Sequence, residues 1–423
     1  MHLKELIKYD AVKFLFREYI AFNQRRYVRK LQDKEKINVV FFAMQRSMWK
    51  YQYLYQEFKK NNRFNVSIVL SPARRFVKEQ QKKDMQELSS YFTEQGIDFY
   101  DYDVENPQNA IDVKRVLDPD ILFYPQHYSL LLNPLHDSTG FNDRLICYYP
   151  YAFWTTKGSW GYNSRMQNYA WKLFYSTKFN YEDAHQYCYN KGKNVYIVGY
   201  PSMDDFLYGE HSYEWKNPDR KIKRIIWAPH FSIDPNNRII NRACFLWMAD
   251  AMLDIAQKNK DKIQIVFKPH PRLMTELYAH PDWGREKTDA YYKQWETMPN
   301  TKVETENYID LFMTSDAMIH DCGSFSVEYL YAGKPVMFMA NNEKEYRKEL
   351  NGLGNGALDQ HYIGTDIDAI YRFLDDVVIG GKDIMKGQRA KFVNDILLPP
   401  NGKSVVENTM DFIYKGLGLT VRK

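Results

Sequence analysis

Cysteine is scarce and scattered. The four cysteines, Cys147, Cys188, Cys244 and Cys322, form no C-x-x-C pair. That pattern argues against a disulfide framework and a thiolate zinc site, and it fits a reducing compartment. Long apolar runs are missing as well. No stretch of about 18 apolar residues occurs, so no membrane-spanning helix is expected, and no secretory signal peptide is visible. There is no internal repeat and no low-complexity tract. The net charge is only +5. With that charge confined to one end and no known binding motif, nucleic acid is not expected as a partner.

What remains is an ordinary globular composition: 44% hydrophobic and 26% charged over 423 residues. That length exceeds one core and predicts two domains. Aromatics reach 16%, mostly from 34 Tyr and 25 Phe. They suit sugar or base stacking, and they equally fill cores.

Residues 1–36 stand apart. Ten Lys/Arg face five Asp/Glu there, a net charge equal to that of the whole chain. Leu3, Leu6, Ile7, Phe14, Leu15 and Ile20 recur at roughly helical spacing, followed by Arg25-Arg26-Tyr27-Val28-Arg29-Lys30. A basic amphipathic helix of this kind lies on an anionic membrane surface or packs on its own domain with a solvated basic face.

From Ile37 onward strands and helices alternate, which predicts a doubly wound α/β architecture. Expected strands are Ile37–Ala43, Asn65–Leu70, Ile97–Tyr100, Asp120–Tyr124, Leu145–Tyr149, Ala170–Ser176 and Val195–Val198. Expected helices cover Gln45–Lys60, Arg74–Glu94 and Ala110–Leu117. A second set begins near Lys221, with strands Arg224–Ala228 and Ile263–Lys268 around a helix Arg242–Lys258. The organisation read from this is a basic segment 1–36, a Rossmann-like acceptor domain 37–210, a Rossmann-like nucleotide donor domain 218–390 and a helical segment 391–423.

The most informative stretch is Val303–Met339. It reads as a helix Asn307–Met313, a buried strand Asp316–His320, a turn Asp321-Cys322-Gly323-Ser324, a helix Phe325–Tyr331 capped by Gly333, and a strand Val336–Met339. In such a βαβ unit Gly323 allows close backbone approach, and Ser324 can cap the helix and bond a phosphate oxygen. The alternative is an ordinary capped turn.

His230 and His270 each follow a strand end and a proline, Pro229 and Pro269. In a parallel sheet such ends face one site. With Lys268, Arg272 and Ser324 they suit a di-anionic leaving group with an acid or base at hand. Asp316, Asp321 and Glu328 show no ligand spacing, so no metal is expected. No cofactor is implied either.

In order along the chain, four elements carry a family resemblance. They are Gly199-Tyr200-Pro201-Ser202-Met203-Asp204, Trp227-Ala228-Pro229-His230, Lys268-Pro269-His270-Pro271, and Ser315-Asp316 or, in better register, His320-Asp321, followed by Cys322-Gly323-Ser324, Glu328-Tyr329 and Lys334-Pro335. They resemble the G-x-P-R-x-D, A-P-T, K-x-H-P and T-D-Y-S-S…D-Y…K-P elements of the CDP-glycerol glycerophosphotransferase family of teichoic-acid and capsule synthesis. The resemblance covers about a third of the chain. It implies a GT-B-like fold, with two Rossmann-like domains facing across a cleft, and it carries His270, Ser324 and Asp321 over as site residues.

The sequence also departs from that family. Ser202 stands where the family has Arg, and Gly323 where it has the first Ser. The region equivalent to the family's W-H-G-T element, read as Tyr148–Phe153, has no histidine. The base is therefore left to His127 or His230.

The resemblance implies a CDP-polyol donor and a lipid-linked or polymeric glycan acceptor. Lys268, Arg272, Asp321, Gly323, Ser324, Glu328 and Pro229 would bind the donor phosphates and nucleotide, and His270 would neutralise the leaving phosphate. The expected location is cytoplasmic, at the inner face of the cell membrane. Two other readings stand beside this one: a glycosyltransferase of the same fold using a nucleotide sugar, and a non-catalytic polymer- or membrane-binding protein.

Overall fold

The computed structural model describes residues 3–127, 131–234, 243–305 and 308–420, with side chains from residue 15 onward. The chain forms two compact units. The first contains the residues up to Phe153, then Gly158–Asp204, then the segment from Leu397 onward. The second contains Trp154–Lys157 and Asp205–Ile396.

The first unit is built on β1 (Ile37–Ala43), β2 (Phe64–Leu70), β3 (Ile121–Tyr124), β4 (Leu145–Tyr148), β5 (Lys172–Tyr175) and β6 (Val195–Ile197). Every pairing is parallel, in the order β2-β1-β3-β4-β5-β6. The β3, β4 and β5 residues are all buried, as a parallel sheet covered on both faces requires.

The second unit has β7 (Lys223–Ala228), β8 (Ile263–Phe267), β9 (Thr301–Val303), β10 (Ala317–His320), β11 (Val336–Met339) and β12 (Tyr362–Gly364). Its order is β12-β11-β10-β7-β8-β9, again all parallel. The strand order reverses between β7 and β10, and in the first unit between β1 and β3. Open α/β sheets bind ligands at such reversals.

Several expected elements shrink or divide. The predicted strand Ile97–Tyr100 reduces to one bridge, Tyr100 to Val69, because Tyr100 alone reaches the edge of β2. Gln45–Lys60 divides into a 3-10 turn, Arg46–Met48, and a helix, Gln52–Lys60, since Gln45 itself is extended. The helices expected over Arg74–Glu94 and Ala110–Leu117 occupy Lys78–Glu94 and Val113–Val116. Phe325–Tyr331 is α-helical only to Glu328 and continues as a 3-10 turn, Tyr329–Ala332. Gly333 ends it at φ 68°, the left-handed C-cap that glycine supplies without strain. Asn307 and Arg242 lie outside the described residues, and the described helices there are Ile309–Thr314 and Phe245–Lys258.

The first unit is closed by its two terminal segments. The N-terminal helix Leu3–Gln32 seats Ile20 and Leu31 in the core. It is tied down by Asp120, which is fully buried and accepts from Tyr27 Oη at 2.7 Å, Lys34 Nζ at 2.5 Å and the Asn38 N–H at 2.7 Å.

The C-terminal helix Val405–Leu417 is docked by Asp204, whose carboxylate accepts the Val405 and Val406 N–H groups at 2.9 and 3.0 Å. Gly199, at φ 104°, leaves room for that helix. A Cβ there would stand 2.8 Å from Val405 and 2.9 Å from Pro399. The Gly199–Asp204 element is therefore the dock for the last helix. Asp204→Ala should lower stability by about 1–2 kcal/mol, the scale of a lost N-terminal cap, as read by urea unfolding. An unchanged midpoint would remove Asp204 from that role.

The core of the second unit positions the strand ends that matter. The Trp227 ring lies 4.9 Å from Phe267, 5.7 Å from Phe245 and 5.3 Å from Trp295, measured between centroids. Burying a side chain of this size is worth roughly 1.5–3 kcal/mol. This locks β7 against β8 one residue short of Pro229.

Candidate active site

Three neighbouring strands, β10, β7 and β8, end on one edge of the second sheet. Their extensions stay paired beyond the strands. The Lys268 N–H donates to Trp227 O at 2.8 Å, and the His270 N–H to Pro229 O at 3.0 Å. This registers His230 beside His270, with ring centroids 5.1 Å apart. Phe231 packs on both rings, at 4.3 and 4.5 Å. The Arg272 guanidinium lies 4.1 Å over Phe231 and is also paired with Glu276. The structure thus brings His230, His270, Lys268, Arg272 and Pro229 together, the last through its carbonyl.

His270 has a fixed protonation pattern. Its Nδ1 accepts the Arg272 N–H at 3.1 Å, so the ring proton sits on Nε2. Burial first, then the neighbouring His230, Arg272 and Lys268, push its pKa down to about 3. At neutral pH it is an uncharged N–H donor. His230 Nδ1 is engaged by Ser232 Oγ at 2.9 Å.

The turn after β10 differs from expectation in two details. Ser324 is helical in backbone and its side chain makes no cap bond, because the helix is already entered at that residue. Gly323 has no positive φ, and a Cβ there would meet Thr155 Oγ1 at 3.5 Å and Tyr346 Oη at 3.8 Å, which is ordinary contact. Ser326 Oγ donates to Gly323 O at 2.6 Å and stiffens the turn.

Asp321 is buried, and each of its oxygens accepts a backbone N–H at 2.6 Å, from His230 and from Cys244. Glu328 is buried too, at 3% exposure, within the helix that follows. Among the described residues no group of three or more His, Cys, Asp or Glu could hold a metal.

The sequence reading missed Thr155. It belongs to the Trp154–Lys157 segment, which joins the second unit through Asn351 N–H to Thr155 O at 2.9 Å and Asn351 Nδ2 to Trp154 O at 3.0 Å. Gly354 makes room for it, since a Cβ there would stand 2.4 Å from Thr155 O. No local motif signals such a docking. His127 lies in the first unit, past β3, buried and 5.4 Å from the Tyr148 ring. Burial lowers its pKa to about 4.

Behind the turn sit two more buried histidines, His320 and His361, 5.3 Å apart between ring centroids. Burial holds His361 down at about 3 and His320 well below its usual value. Unfolded, each titrates near pH ~6.5. The unfolded chain therefore binds more protons below that pH, and stability is full above it and falls as pH drops toward the folded values. Melting temperature should decline steadily from pH 7 to pH 5, and His361→Gln should flatten the decline. An equally steep decline in that variant would exclude His361 as a source.

Residues 153–355 match the family described as CDP-Glycerol:Poly(glycerophosphate) glycerophosphotransferase. The span includes β7, β8, β10 and the turn after it. No curated protein matches the chain. Among solved structures, the wall teichoic acid polymerase TagF is similar at TM-score 0.59 and 14% identity, covering 99% of each chain. A putative UDP-N-acetylglucosamine 2-epimerase from Listeria monocytogenes has TM-score 0.58 at 13% identity, covering 92% of this chain and 98% of that one. The S. aureus MnaA–UDP structure has TM-score 0.55 at 14% identity, with the same coverage. At these identities the likeness is one of fold, the GT-B type with two Rossmann-like sheets.

Proposed function

We propose that this chain transfers a polyol phosphate, glycerol phosphate first among them, from a CDP-activated donor to a hydroxyl of a lipid-linked or polymeric cell-surface glycan, releasing CMP. The observation that carries this reading is the grouping of His230, His270, Lys268 and the Gly323–Ser324 turn at the strand-order reversal, inside the family-matched span. The donor pyrophosphate lies against that turn. The acceptor oxygen attacks the β-phosphorus, the bridging P–O bond breaks, and the electrons leave with CMP. His230 takes the hydroxyl proton, since burial holds His127 at about 4, too weak a base for that role. His270 donates its Nε2–H to the departing phosphate. Phosphoryl transfer needs mainly positioning and charge stabilisation, which this set supplies.

A glycosyltransferase using a nucleotide sugar is the second reading. It is favoured by the histidine-free Tyr148–Phe153 and by the fold shared with epimerases of a UDP-sugar. Purified protein with membranes and a panel of CDP-polyols and nucleotide sugars separates the two. CMP from a CDP-polyol supports transfer at phosphorus. A nucleoside diphosphate from a nucleotide sugar shows attack at carbon and overturns the first reading.

The N-terminal helix supports a place at the inner membrane face. Its anchored side leaves Leu15, Tyr19 and Phe22 exposed at helical spacing, flanked by exposed Arg25, Arg26, Arg29 and Lys30. Apolar side chains beside cations suit an anionic leaflet. Tyr19→Glu with Phe22→Glu should abolish sedimentation with phosphatidylglycerol vesicles in low salt, without changing the melting temperature. Undiminished sedimentation would place the contact elsewhere. Among the described residues no helix is long and apolar enough to cross a membrane.

A further inference from the structure

We infer that Asp321 is a positioning residue for His230: as a carboxylate it clamps both ends of the connection between β7 and the helix Phe245–Lys258, and so sets where the His230 ring stands against His270. The inference rests on the proposed transfer only in giving His230 a substrate to act on.

The geometry is specific. One carboxylate oxygen accepts the His230 N–H and the other the Cys244 N–H, both at 2.6 Å. Only an ionised carboxylate offers an acceptor to both. A protonated acid or an amide turns a hydrogen toward one of the two N–H groups and leaves a buried donor unmatched.

Both ends have further tethers beside the clamp. Cys244 has other tethers close by: Asn341 Nδ2 donates to Ala243 O at 3.3 Å, and Cys244 Sγ and Trp247 Nε1 donate to Asn341 Oδ1 at 3.5 and 2.8 Å. At the other end, His230 Nδ1 meets Ser232 Oγ, the Ala243 N–H donates to Ser232 O at 3.2 Å, and Pro229 O accepts the His270 N–H at 3.0 Å. Losing the clamp takes this partner from the His230 amide, the backbone point from which the ring is carried.

The group titrates in a useful range. Burial raises the Asp321 carboxyl to about 6, against the pull of the Cys244 and His230 amides. The charged or titratable neighbours are the Cys322 thiol on its own turn, the Cys244 thiol on the facing helix and His230 beyond β7. Lys268 and Glu328 act on Cys322 from the β8 end and from the helix after the turn. The clamp is closed above pH 6 and opens below it, so the site loses its His230 geometry in acid while the sheet stays intact.

Selective 15N labelling of His and Cys tests this in the whole protein without any substrate. The His230 and Cys244 amide signals, assigned through His230→Gln and Cys244→Ser, should move together with one midpoint near pH 6. In Asp321→Asn neither should show that transition. Independent midpoints, or none, would overturn the clamp. In turnover with a donor that the protein accepts, Asp321→Asn should lower kcat about tenfold or more, the scale of one unmatched buried amide. It should change KM little and remove the acid limb of the rate profile. A folded Asp321→Asn with wild-type kcat and an unchanged acid limb would overturn the positioning role. Should that variant fail to fold, the amide titration of the wild-type protein still decides. If no CDP-polyol or nucleotide sugar is turned over, the functional proposal falls while the amide arm stands by itself.

Discussion

Replacing His270 by alanine is expected to slow transfer from a CDP-polyol about 100-fold or more, the scale of losing one preorganised donor in an active site. The expectation follows from the state of the ring. Its Nδ1 is occupied by the Arg272 N–H at 3.1 Å, and its pKa is depressed to about 3 by burial and by three cationic or potentially cationic neighbours. A ring in that state brings no net charge and is a poor base. It offers one directed N–H, on Nε2, toward charge that grows on the leaving phosphate. The loss should therefore fall on kcat, with the donor KM changed far less, because the interaction strengthens only in the transition state. His270→Gln keeps an N–H donor and should recover part of the rate. Steady-state kinetics with CDP-glycerol and CMP detection would read both. Near-normal turnover in the alanine variant would remove His270 from the mechanism.

The largest expected effect on stability is at Asp383. Arg389 is completely buried, and its guanidinium meets the Asp383 carboxylate through contacts of 2.9, 3.1 and 3.3 Å. The Tyr362 hydroxyl adds a further bond to the same carboxylate at 3.1 Å. Asp383→Ala strands a buried cation next to His361, whose pKa already feels Arg389. Breaking such a pair from one side costs about 3–5 kcal/mol. Removing both charges together, as Asp383→Ala with Arg389→Met, should cost much less, because no charge is left uncompensated. Urea unfolding of the two variants decides it. A double variant as unstable as the single one would mean that packing of the Arg389 stem, rather than its charge, is what matters.

How far the amino-acid sequence reaches can be judged residue by residue. β1, β3, β7, β8, β10 and β11 were readable because each is a short apolar run ended by Pro, Gly or a polar turn, and a strand buried on both faces tolerates little else. The same local chemistry set His230 and His270 in equivalent positions after their strands, and Gly333 at the end of its helix.

What the sequence could not contain is which strands lie side by side. The reversal between β7 and β10 puts Asp321, more than ninety residues from His230 by count, within 2.6 Å of its amide. Periodicity marks Asp321 as a turn residue near a phosphate-type motif. Only the tertiary arrangement commits both its oxygens to backbone amides. Thr155 joins the site's unit through a docking with Asn351 and Gly354 that no motif encodes. In the N-terminal helix, spacing predicted the helix but not its faces, since Leu15 and Ile20 look alike in sequence and one is exposed while the other is buried. Local propensity and hydrophobic period are properties of neighbours along the chain. Strand order, the partner of a buried carboxylate and the face a helix presents depend on contacts between distant segments, and those were decided by packing.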